Sequence, residues 1–358
     1  MKNIVKLDVL VVYSASVAQS ASVSDSQSIH PFLINSRRSN YNLSYAYFLD
    51  TCQKNGLTAG FTTSADIVGP GQCQNYWTSD QGNWTKINGM AKSTQIFDKI
   101  SPRSSLRLAE RKLLLSHQSI IPFNDPTLFS TFYDKLLTYQ LLAPFSIPTT
   151  AVLSARVKDI TQALSQLRQL VKQHPFSTDF SSALVLKDRF GSGGNHVYKI
   201  ARNFSHRIQN LMSKNPEVQF VLQPFLAFDH GYTYQNRHAP TDLRLIFHSN
   251  QLLQSYIRIA QPQDFRCNEH QGGELIYVDS SAIPASVHTI ANQIVQQLNL
   301  PGSLYALDFL VSNSGHVYFV EGNTGPGLDW DITKKLNEQK SKQLIRSIVS
   351  RFTTRLTA

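Results

Sequence analysis

The residues with the clearest chemical potential lie near the C-terminus, in the stretch LYALDFLVSNSGHVYFVEGN. Two alternating apolar runs flank a Ser-Asn-Ser-Gly turn, and this pattern predicts a β-hairpin. An even-numbered loop would place Asp308 opposite Phe319 and diagonal to Glu321. Asn323 would then share their face of the sheet. Two carboxylates and an amide that converge in this way suit Mg²⁺, whose other positions are filled by water and phosphate oxygens.

The same two carboxylates have a plainer interpretation, as charges on a solvated sheet face. Their apolar neighbours describe instead a largely buried hairpin: Ala306, Leu307, Phe309, Phe319 and Val320. Unpaired charge is costly in such a place, and this favours the cation site.

A lysine and a glycine-rich turn form the second feature. Lys187 ends the apolar run SALVLK, and the turn Gly191-Ser192-Gly193-Gly194 follows shortly after it. Glycines let a turn approach phosphates with its backbone N–H groups exposed. The segment is neither a Walker A loop nor a Rossmann fingerprint, because it lacks GK[ST] and joins two strands. Taken alone it is better explained as a flexible hairpin, whereas a cation site nearby favours phosphate binding.

Further cationic residues are spread along the chain. Lys135 lies in a predicted helix and, taken singly, is best explained as a solvated helix lysine. Arg244, Arg258 and Arg266 lie on or after two predicted neighbouring strands. Arginines on facing strands form bidentate clamps for carboxylate or phosphate. His270 follows them, and it fits a catalytic base as well as a structural histidine.

Strand and helix patterns alternate along the chain and would position these residues. Apolar runs predict strands at 7–14, 57–63, 145–153, 181–190, 196–200, 218–228, 242–250, 251–260, 304–312 and 315–323, with an edge strand at 95–100. Helical spacing predicts helices at 40–56, 106–116, 125–142, 157–174, 204–214 and 286–298, and from 331 to the end. The polar stretch 67–89 is predicted to be a loop with room for a short hairpin.

The charge balance is basic. The 358 residues include 34 Lys and Arg against 24 Asp and Glu, which gives a formal net charge of +10, and 16% of the chain is charged. The stretch from Asp98 to Arg207 holds 15 Lys and Arg against 7 Asp and Glu. It includes Lys135, Lys187 and the glycine-rich turn, and a basic balance of this kind suits nucleic acid, an anionic membrane surface or an acidic small molecule. It has no dense basic run and no stripe of alternating aromatic and cationic residues, which speaks against a dedicated nucleic-acid surface.

Length and composition predict a soluble globular protein of two or three lobes. No apolar run approaches the ~18 residues of a membrane span. The first residues superficially resemble a secretory signal, but Asp8 interrupts the apolar stretch, and 7–14 fits a buried strand better. Cys52, Cys73 and Cys267 match no metal or disulfide spacing, and they fit a reducing cytoplasm in which they pack as ordinary apolar residues.

Several short blocks follow one another in an informative order. They are Asp134-Lys135, Ile147-Pro148, Lys187 with its glycine-rich turn, VLQPFL, Asp242-Leu243-Arg244, DFRCNEHQGG, and Asp308 with Glu321-Gly322-Asn323. From about Asp98 to Leu328 this order resembles the ATP-grasp superfamily. DFRCNEHQGG and EGNTGPGL are most similar to the RimK-type carboxylate–amine ligases, whose founding member adds glutamate to the C-terminus of a ribosomal protein.

The resemblance implies an α/β (α+β) ATP-grasp fold, in which two α/β lobes clasp ATP. A small N-terminal pre-ATP-grasp α/β domain would occupy residues 1–100. The first lobe would occupy residues 101–220, and the second lobe, with the metal and substrate site, residues 221–358.

The resemblance also implies a role for each matched residue. Lys135 and Lys187 match the nucleotide lysines, and Gly191, Ser192, Gly193 and Gly194 match the flexible phosphate lid. Gln223, Phe225 and Leu226 match the hinge that reads adenine through its backbone, with Asp229 and Arg244 as further nucleotide contacts. Asp308, Glu321 and Asn323 match the ligands of one or two Mg²⁺ ions, for which Mn²⁺ can substitute, and Arg258, Arg266 and Asn268 match the acyl-phosphate and substrate end.

Pro224 departs from the family pattern, which commonly has an acidic residue in the hinge. Proline lacks an N–H group, so adenine recognition must rest on neighbouring backbone atoms and on Gln223. Base preference and nucleotide affinity therefore stay open.

The implied reaction is ATP-dependent formation of an amide or peptide bond, with ADP and phosphate released. ATP phosphorylates a carboxylate, and an amine then attacks the acyl phosphate. Arg258 or Arg266 would steady the carboxylate and later the oxyanion. Whether the acid and the amine are free amino acids, a peptide tail or a cofactor precursor stays open. The oligomeric state stays open, although relatives often form dimers or tetramers.

Two other classes of function stay open. A non-catalytic ATP-binding module is one of them, because the synaptic-vesicle ATP-grasp proteins use the fold in this way. The intact metal positions speak for catalysis instead. A basic nucleic-acid-binding protein is the other, and it would show a steep salt dependence of binding.

Overall fold

The computed structural model describes residues 4–23, 29–102 and 105–357. Residues 1–3, at the signal-like start, and 103–104, in the linker predicted after residue 100, lie outside these ranges. The chain forms two compact units. The first comprises Met1–Pro126, Gly302–Leu304 and Gly325–Ala358, and the second comprises Thr127–Pro301 and Tyr305–Thr324. The finer division into three domains stays a prediction.

Eight α-helices and 19 strands form within the described residues. The helices are α1 Tyr41–Lys54, α2 Ser105–Leu114, α3 Pro126–Tyr133, α4 Lys135–Leu142, α5 Val157–Gln173, α6 Phe204–Lys214, α7 Ala285–Leu298 and α8 Lys335–Thr357. The strands up to residue 126 are β1 Val5–Lys6, β2 Val9–Tyr13, β3 Ala59–Thr63, β4 Ile67–Gly69, β5 Gln72–Cys73, β6 Tyr76–Asp80, β7 Asn83–Ile87, β8 Ala91–Lys92, β9 Gln95–Lys99 and β10 Ile121–Pro122. The remaining strands are β11 Thr150–Val152, β12 Phe180–Asp188, β13 Val197–Ile200, β14 Phe220–Leu226, β15 Thr241–His248, β16 Gln251–Ile259, β17 Glu274–Val278, β18 Leu304–Val311 and β19 Val317–Asn323.

The first unit is built on a six-stranded sheet with the order β10-β9-β2-β3-β6-β7. Its central strand β2 has the sequence VLVVY and runs parallel to β3 and β9, as a continuous apolar run buried on both faces predicts. A smaller sheet has the order β1-β8-β5-β4. The ring of Phe97 lies 5.3 Å from that of Phe48 and 5.4 Å from that of Phe123, and Phe352 of α8 lies 5.0 Å from Phe123. Helix α8 therefore completes the core of this unit.

Two predictions for the first unit need correction. The strand at 95–100 is wrong as an edge strand, because β9 lies between β10 and β2. The stretch 67–89 is more regular than a loop, since it includes β4, β5 and the antiparallel pair of β6 and β7. That pair confirms the short hairpin for which the sequence left room.

The second unit contains two antiparallel sheets. One has the order β11-β14-β12-β13, and the other has the order β17-β16-β15-β18-β19. Helices α5 and α6 cover the first sheet through apolar residues such as Ile160, Leu167 and Ile208. Helix α7 packs on the second through Val287 and Ile294. Each sheet thus has its own core, and both present polar side chains to a common cleft.

The helix predicted at 125–142 is wrong as a single element. It is broken at Asp134, whose backbone is extended (φ −102°, ψ 108°). The carboxylate of Asp134 accepts hydrogen bonds from the N–H groups of Leu136 and Leu137, at 2.9 and 3.4 Å. An aspartate that caps a new helix explains the break, and it makes Lys135 the first residue of α4.

The register of the last hairpin also differs from the prediction. Asp308 lies opposite Glu321, and not opposite Phe319, because a register shift falls between Asp308 and Phe309. Asn323 lies opposite Ala306. A bulge re-aims side chains in this way, and here it brings the two carboxylates closer than a diagonal pair would be. The final helix begins at Lys335 rather than at 331.

Two further observations concern membrane-spanning helices and the cysteines. None of the described helices is long and apolar enough to cross a membrane. The thiols of Cys52, Cys73 and Cys267 are free and buried, as expected for packing residues.

Candidate active site

A cleft between the two sheets of the second unit gathers most of the residues singled out in the sequence. Those that line it are Lys135, Lys187, Gly191, Ser192, Gly194, Gln223, Phe225, Leu226, Arg258, Arg266, Asn268, Asp308 and Glu321. Gly193, Asp229, Arg244 and Asn323 do not line the cleft that the described residues form. Apolar side chains of Ile147, Leu310 and Val320 complete one wall. The cleft therefore combines two lysines, an apolar wall, and carboxylates with their arginine partners.

Two lysines line the cleft. Lys187 is 6% exposed on β12, and Lys135 begins α4. Burial, assisted by the charge of Lys135, lowers the pKa of Lys187 to about 8. Burial also lowers the pKa of Lys135, against the attraction of Glu321 and Asp188. A buried and a partly buried ammonium group, both with a lowered pKa, suit an anionic ligand.

An ion pair sets the position of Lys135. Nε and Nη2 of Arg189 donate to the two carboxylate oxygens of Asp134, at 2.7 and 2.5 Å. The N–H of Lys135 donates to the carbonyl of Arg189 at 3.1 Å. The start of α4 is thereby tied to the residue that follows β12.

The glycine-rich turn lies against the loop that follows β16. Nζ of Lys135 donates to the carbonyl of Gly191. Nε2 of Gln271 donates to the carbonyl of Gly193 at 3.3 Å. Gly194 has φ +74°, and a Cβ there would lie 2.9 Å from Cγ of Gln271 and 3.0 Å from Oδ1 of Asn268. Glycine is thus required at this position for both its backbone conformation and the close approach.

The predicted hinge lies on β14. Nε2 of Gln223 donates to Oγ1 of Thr149 at 2.7 Å, and Gln223 is buried. Phe225 has Nζ of Lys199 3.4 Å above its ring centre and the ring of Phe265 at 5.5 Å. An apolar strand edge with aromatic neighbours offers a surface for a flat ring such as a nucleobase.

Two arginines and two aspartates form a buried network beside the cleft. Nε and Nη2 of Arg244 donate to both oxygens of Asp308, each at 2.5 Å. Nε and Nη2 of Arg258 donate to both oxygens of Asp242, each at 2.8 Å. Nη2 of Arg258 also donates to Oδ2 of Asp308 at 2.8 Å. Burial acts to raise the pKa of Asp308, but the two guanidinium groups hold it below its usual range.

Comparison with known proteins identifies this arrangement. A family model, the RimK-like ATP-grasp domain, matches residues 132–348, which include every residue of the cleft. The chain belongs to the RimK-like ATP-grasp family. This family uses ATP and, in general, Mg²⁺ to drive ligase reactions.

A relative in sequence supports the RimK-like assignment, and solved structures support the fold. A protein of Histophilus somni (strain 129Pt), named probable alpha-L-glutamate ligase, is 25% identical over 238 residues, which cover 66% of this chain and 69% of the relative. D-alanyl-alanine synthetase A of Vibrio cholerae shares the fold at 12% identity, with a TM-score of 0.58 over 98% of this chain and 99% of that one. Macrocyclase MdnC of Microcystis aeruginosa, bound with precursor peptide MdnA, does so at 12% identity, with a TM-score of 0.52 over 96% and 99%.

The cation that the RimK-like family generally uses has a fitting donor set in this chain. Asp308 and Glu321 face each other across β18 and β19, and Nδ2 of Asn323 lies 3.4 Å from Oδ2 of Asp308. Two carboxylates and one amide are the oxygen donors that Mg²⁺ and Mn²⁺ prefer. In the described part of the chain no three His, Cys, Asp or Glu side chains form a metal cluster. The amide of Asn323 stays the third donor that the sequence predicts.

The remaining predicted residues take mixed positions. Arg266 lines the cleft, with its guanidinium on Asp264 of the same loop at 2.8 Å. Asn268 lines it beside the glycine-rich turn. Asp229 is half-exposed away from the cleft lining and accepts a hydrogen bond from Asn313 at 2.9 Å. The nucleotide role assigned to Asp229 by resemblance stays a prediction.

Sequence reasoning missed Asp242 and Arg189 as site residues. Asp242 lies directly opposite Arg258 on β15 and β16, and it lines the cleft. The hairpin of these two strands could have revealed the pair, since an acid and an arginine fall at opposed positions. Arg189 gave no such signal, because its partner Asp134 comes from a helix cap distant in the sequence.

Proposed function

We propose that the protein is an ATP-dependent carboxylate–amine ligase that forms an amide or peptide bond through an acyl phosphate, with ADP and phosphate as products. One observation carries the proposal. Two lysines, Lys187 buried and Lys135 partly buried, and a pair of facing carboxylates line the same cleft, with Arg258 beside the carboxylates. A cleft with these parts can hold a nucleotide polyphosphate and an anionic acid end to end.

The reaction consists of two displacements. A carboxylate oxygen of the acid attacks the γ-phosphorus of ATP, the bond to the β-phosphate oxygen breaks, and ADP leaves. The nitrogen of the amine then attacks the carbonyl carbon of the acyl phosphate. The tetrahedral adduct expels phosphate, and the nitrogen loses a proton to solvent or phosphate. The products are an amide, ADP and phosphate, and no covalent bond to the protein is needed.

The chain supplies position and charge for these steps. Lys135 and Lys187 bind phosphate oxygens, and the apolar wall with Phe225 holds the base. A cation on Asp308, Glu321 and Asn323 would neutralise phosphate charge. Arg258 binds the oxygens of the acid and then the oxyanion of the adduct. The glycine-rich turn, which rests on Asn268 and Gln271, keeps water from the acyl phosphate.

The substrates are expected among amino acids and peptides. A curated relative is named probable alpha-L-glutamate ligase, and MdnC is bound with a precursor peptide. We therefore propose L-glutamate as the first amine to test, with acidic peptides and free amino acids as acceptors.

The experiment incubates the protein with Mg²⁺, ATP and a panel of amino acids and acidic peptides. ADP release is followed by a coupled assay, and products are identified by mass spectrometry. Lys187→Ala and Glu321→Gln should each lower the rate by at least about a hundredfold, since each removes charge stabilisation at the phosphates. Lys172→Ala removes an exposed lysine of α5 and is the matched control.

The outcomes separate the classes of function. A substrate-dependent release of ADP with an amide product supports the ligase. ATP binding without turnover of any acid on a broad panel would contradict it and would indicate a non-catalytic ATP-binding module. Equal rates for wild type, Lys187→Ala and Glu321→Gln would also contradict it.

A further inference from the structure

The pair of Asp242 and Arg258 is fixed by the sheet itself. The two residues are directly opposed on β15 and β16, and both hydrogen bonds between them measure 2.8 Å. Their side chains are only 12% and 6% exposed. Opposed residues on adjacent antiparallel strands have little freedom to separate, so Asp242 sets where the guanidinium of Arg258 lies.

Arg258 still has donors to offer. Its Nε and Nη2 donate to Asp242, and its Nη2 also donates to Asp308. No described residue accepts a hydrogen bond from its Nη1, although Arg258 lines the cleft. A guanidinium carries five N–H donors, so Nη1 can bind an anionic oxygen that enters the cleft.

Arg244 differs from Arg258 in the partners of its N–H donors and in its position relative to the cleft. Its Nε and Nη2 bind Asp308, and its Nη1 donates to the hydroxyl of Tyr256 at 3.2 Å. It does not line the cleft formed by the described residues. Asp308 is its close carboxylate partner, since Glu321 lies at 4.0 Å. Of the two arginines, Arg258 alone has a second carboxylate within 3 Å and a nitrogen left for a ligand.

We propose that Asp242 is a positioning residue, which holds Arg258 toward the substrate oxygens and allows Arg258 to release Asp308 when a cation binds that carboxylate. This inference rests on the proposed function. The carboxylate of Asp308 belongs to the cation donor set and accepts from both arginines. When a cation binds Asp308, Arg258 keeps both bonds to Asp242 and stays in place.

Loss of Asp242 would change the carboxylate partners of Arg258. Arg258 would then have Asp308 as its only close carboxylate among the described residues. A guanidinium that depends on Asp308 competes with a cation for the same oxygens, and the site also loses one negative charge. Both effects weaken cation binding, and the acid substrate loses a guanidinium held in place.

The test compares Asp242→Asn, Asp242→Glu and Ser255→Ala with wild type. Ser255 lies on β16, is buried and donates to the carbonyl of Val278 at 2.9 Å, so its loss perturbs the same strand without touching the network. Free Mn²⁺ is measured by electron paramagnetic resonance during titration of the nucleotide-free protein. Turnover is measured separately, with KM values for ATP and for the acid.

Asp242→Asn should weaken Mn²⁺ binding by at least about tenfold, lower kcat and raise the KM for the acid, while the KM for ATP stays within about threefold. Asp242→Glu keeps a carboxylate for Arg258 and should restore Mn²⁺ binding to within about threefold of wild type. Ser255→Ala should match wild type in both measurements. Mn²⁺ binding by Asp242→Asn equal to that of wild type, or no recovery with Asp242→Glu, would overturn the proposal.

Removal of the carboxylate that pairs with a buried arginine can unfold a protein, so the test includes a second comparison. The double variant Asp242→Asn with Arg258→Gln loses both charges and the guanidinium of Arg258, while Arg244 still donates to both oxygens of Asp308 as in wild type. Its Mn²⁺ affinity should lie within about threefold of wild type, with turnover lost. Mn²⁺ binding at least about tenfold weaker in this variant would overturn the proposal.

The Mn²⁺ titration needs no turnover, and this separates the two proposals. Weak Mn²⁺ binding by Asp242→Asn in a protein without ligase activity would support the role of Asp242 and reject the reaction. An active wild type with an unaffected Asp242→Asn variant would reject the role of Asp242 alone.

Discussion

Arg189 donates to both carboxylate oxygens of Asp134, at 2.7 and 2.5 Å, while its own carbonyl accepts the N–H of Lys135 at 3.1 Å. Asp134 also caps α4, the helix that Lys135 begins. Burial alone would raise the pKa of Asp134, but Arg189 and the N–H groups of α4 hold it below its usual range. The position of Lys135, the proposed nucleotide lysine, therefore depends on Arg189, the residue that follows β12.

Arg189→Ala should weaken nucleotide binding. Without the clamp, Lys135 and the turn that it bonds lose their fixed position, so the KM for ATP should rise about tenfold, equivalent to ~1.4 kcal/mol. The free energy of unfolding should fall by about 1–3 kcal/mol, the usual contribution of hydrogen bonds to charged groups. ATP titration and chemical denaturation measure the two effects.

The control for this prediction is Arg156→Ala. Arg156 pairs with Asp159 at 3.0 Å, but its side chain is 80% exposed and lies outside the cleft. Its loss should leave the KM for ATP within about twofold of wild type. An unchanged KM in Arg189→Ala would show that the clamp does not position Lys135.

ATP affinity should depend on pH through Lys187. Its pKa is lowered to about 8, so the charged fraction falls as the pH rises through that value. The ammonium attracts phosphate and the neutral amine does not, so the affinity for ATP should fall above about pH 8, by several-fold at pH 9. Isothermal titration between pH 7 and about 9.5 measures this effect.

Lys187→Arg tests the assignment of this pH dependence. An arginine stays charged over the whole range, so the variant should bind ATP with an affinity that changes little between pH 7 and about 9. If the variant and wild type show the same decline, then another group titrates.

Gly194→Ala should open the glycine-rich turn. The backbone there has φ +74°, and the added Cβ would lie 2.9 Å from Gln271 and 3.0 Å from Asn268. The turn must move away from that loop, so amide formation should fall by at least about tenfold while ADP release without amide product rises.

Gly82 has φ +86° with no atom within 4 Å of an added Cβ, so Gly82→Ala controls for backbone strain alone. Equal coupling of ADP to amide in both variants would contradict this prediction.

The sequence predicted the fold and the hairpin that carries Asp308 and Glu321, because both leave local signals. Alternation of apolar residues placed β18 and β19, and the order of the blocks identified the ATP-grasp resemblance. The pairing of Asp308 with Glu321 could not be predicted, because a bulge of one residue leaves no trace in the alternation of that strand. The edge position of 95–100 was wrong for a similar reason, since β10 is only two residues long and has no strand pattern of its own.

Residues joined across long distances in the sequence escaped prediction for a different reason. Arg189 and Asp134 lie in separate elements, and their pairing depends on how α4 meets the end of β12. Arg244 and Asp308 pair between β15 and β18, which are neighbours in the sheet and distant in the chain. Such contacts depend on the order of the strands in the sheet, and the sequence of a single strand does not predict that order.

Tyr318→Phe should destabilise the second unit without disturbing the cleft. Asp179, just before β12, is 3% exposed, and its Oδ2 accepts from the hydroxyl of Tyr318 on β19 at 2.7 Å and from Nδ1 of His316 at 2.8 Å. This carboxylate therefore links the two sheets of the unit. Loss of the hydroxyl leaves a buried charge with one donor fewer, so the free energy of unfolding should fall by about 1–3 kcal/mol. Chemical denaturation measures this change, and the KM for ATP should stay within about threefold because Tyr318 does not line the described cleft.

The same variant should unfold at a higher pH during acid titration. Burial acts to raise the pKa of Asp179, but hydrogen bonds, first that of Tyr318, hold it below its usual range. A carboxyl with a lowered folded-state pKa stabilises the fold above its unfolded pKa of about 3.9, and that contribution is lost as the pH falls through the folded value. Without Tyr318 the pKa of Asp179 rises, so the loss begins at a higher pH, which circular dichroism would detect.

Tyr234→Phe, which removes a hydroxyl bonded only to Gln235 at 3.4 Å among the described residues, should leave the acid midpoint unchanged. Coincident acid transitions for Tyr318→Phe and wild type would show that this hydrogen bond does not stabilise the ionised carboxylate.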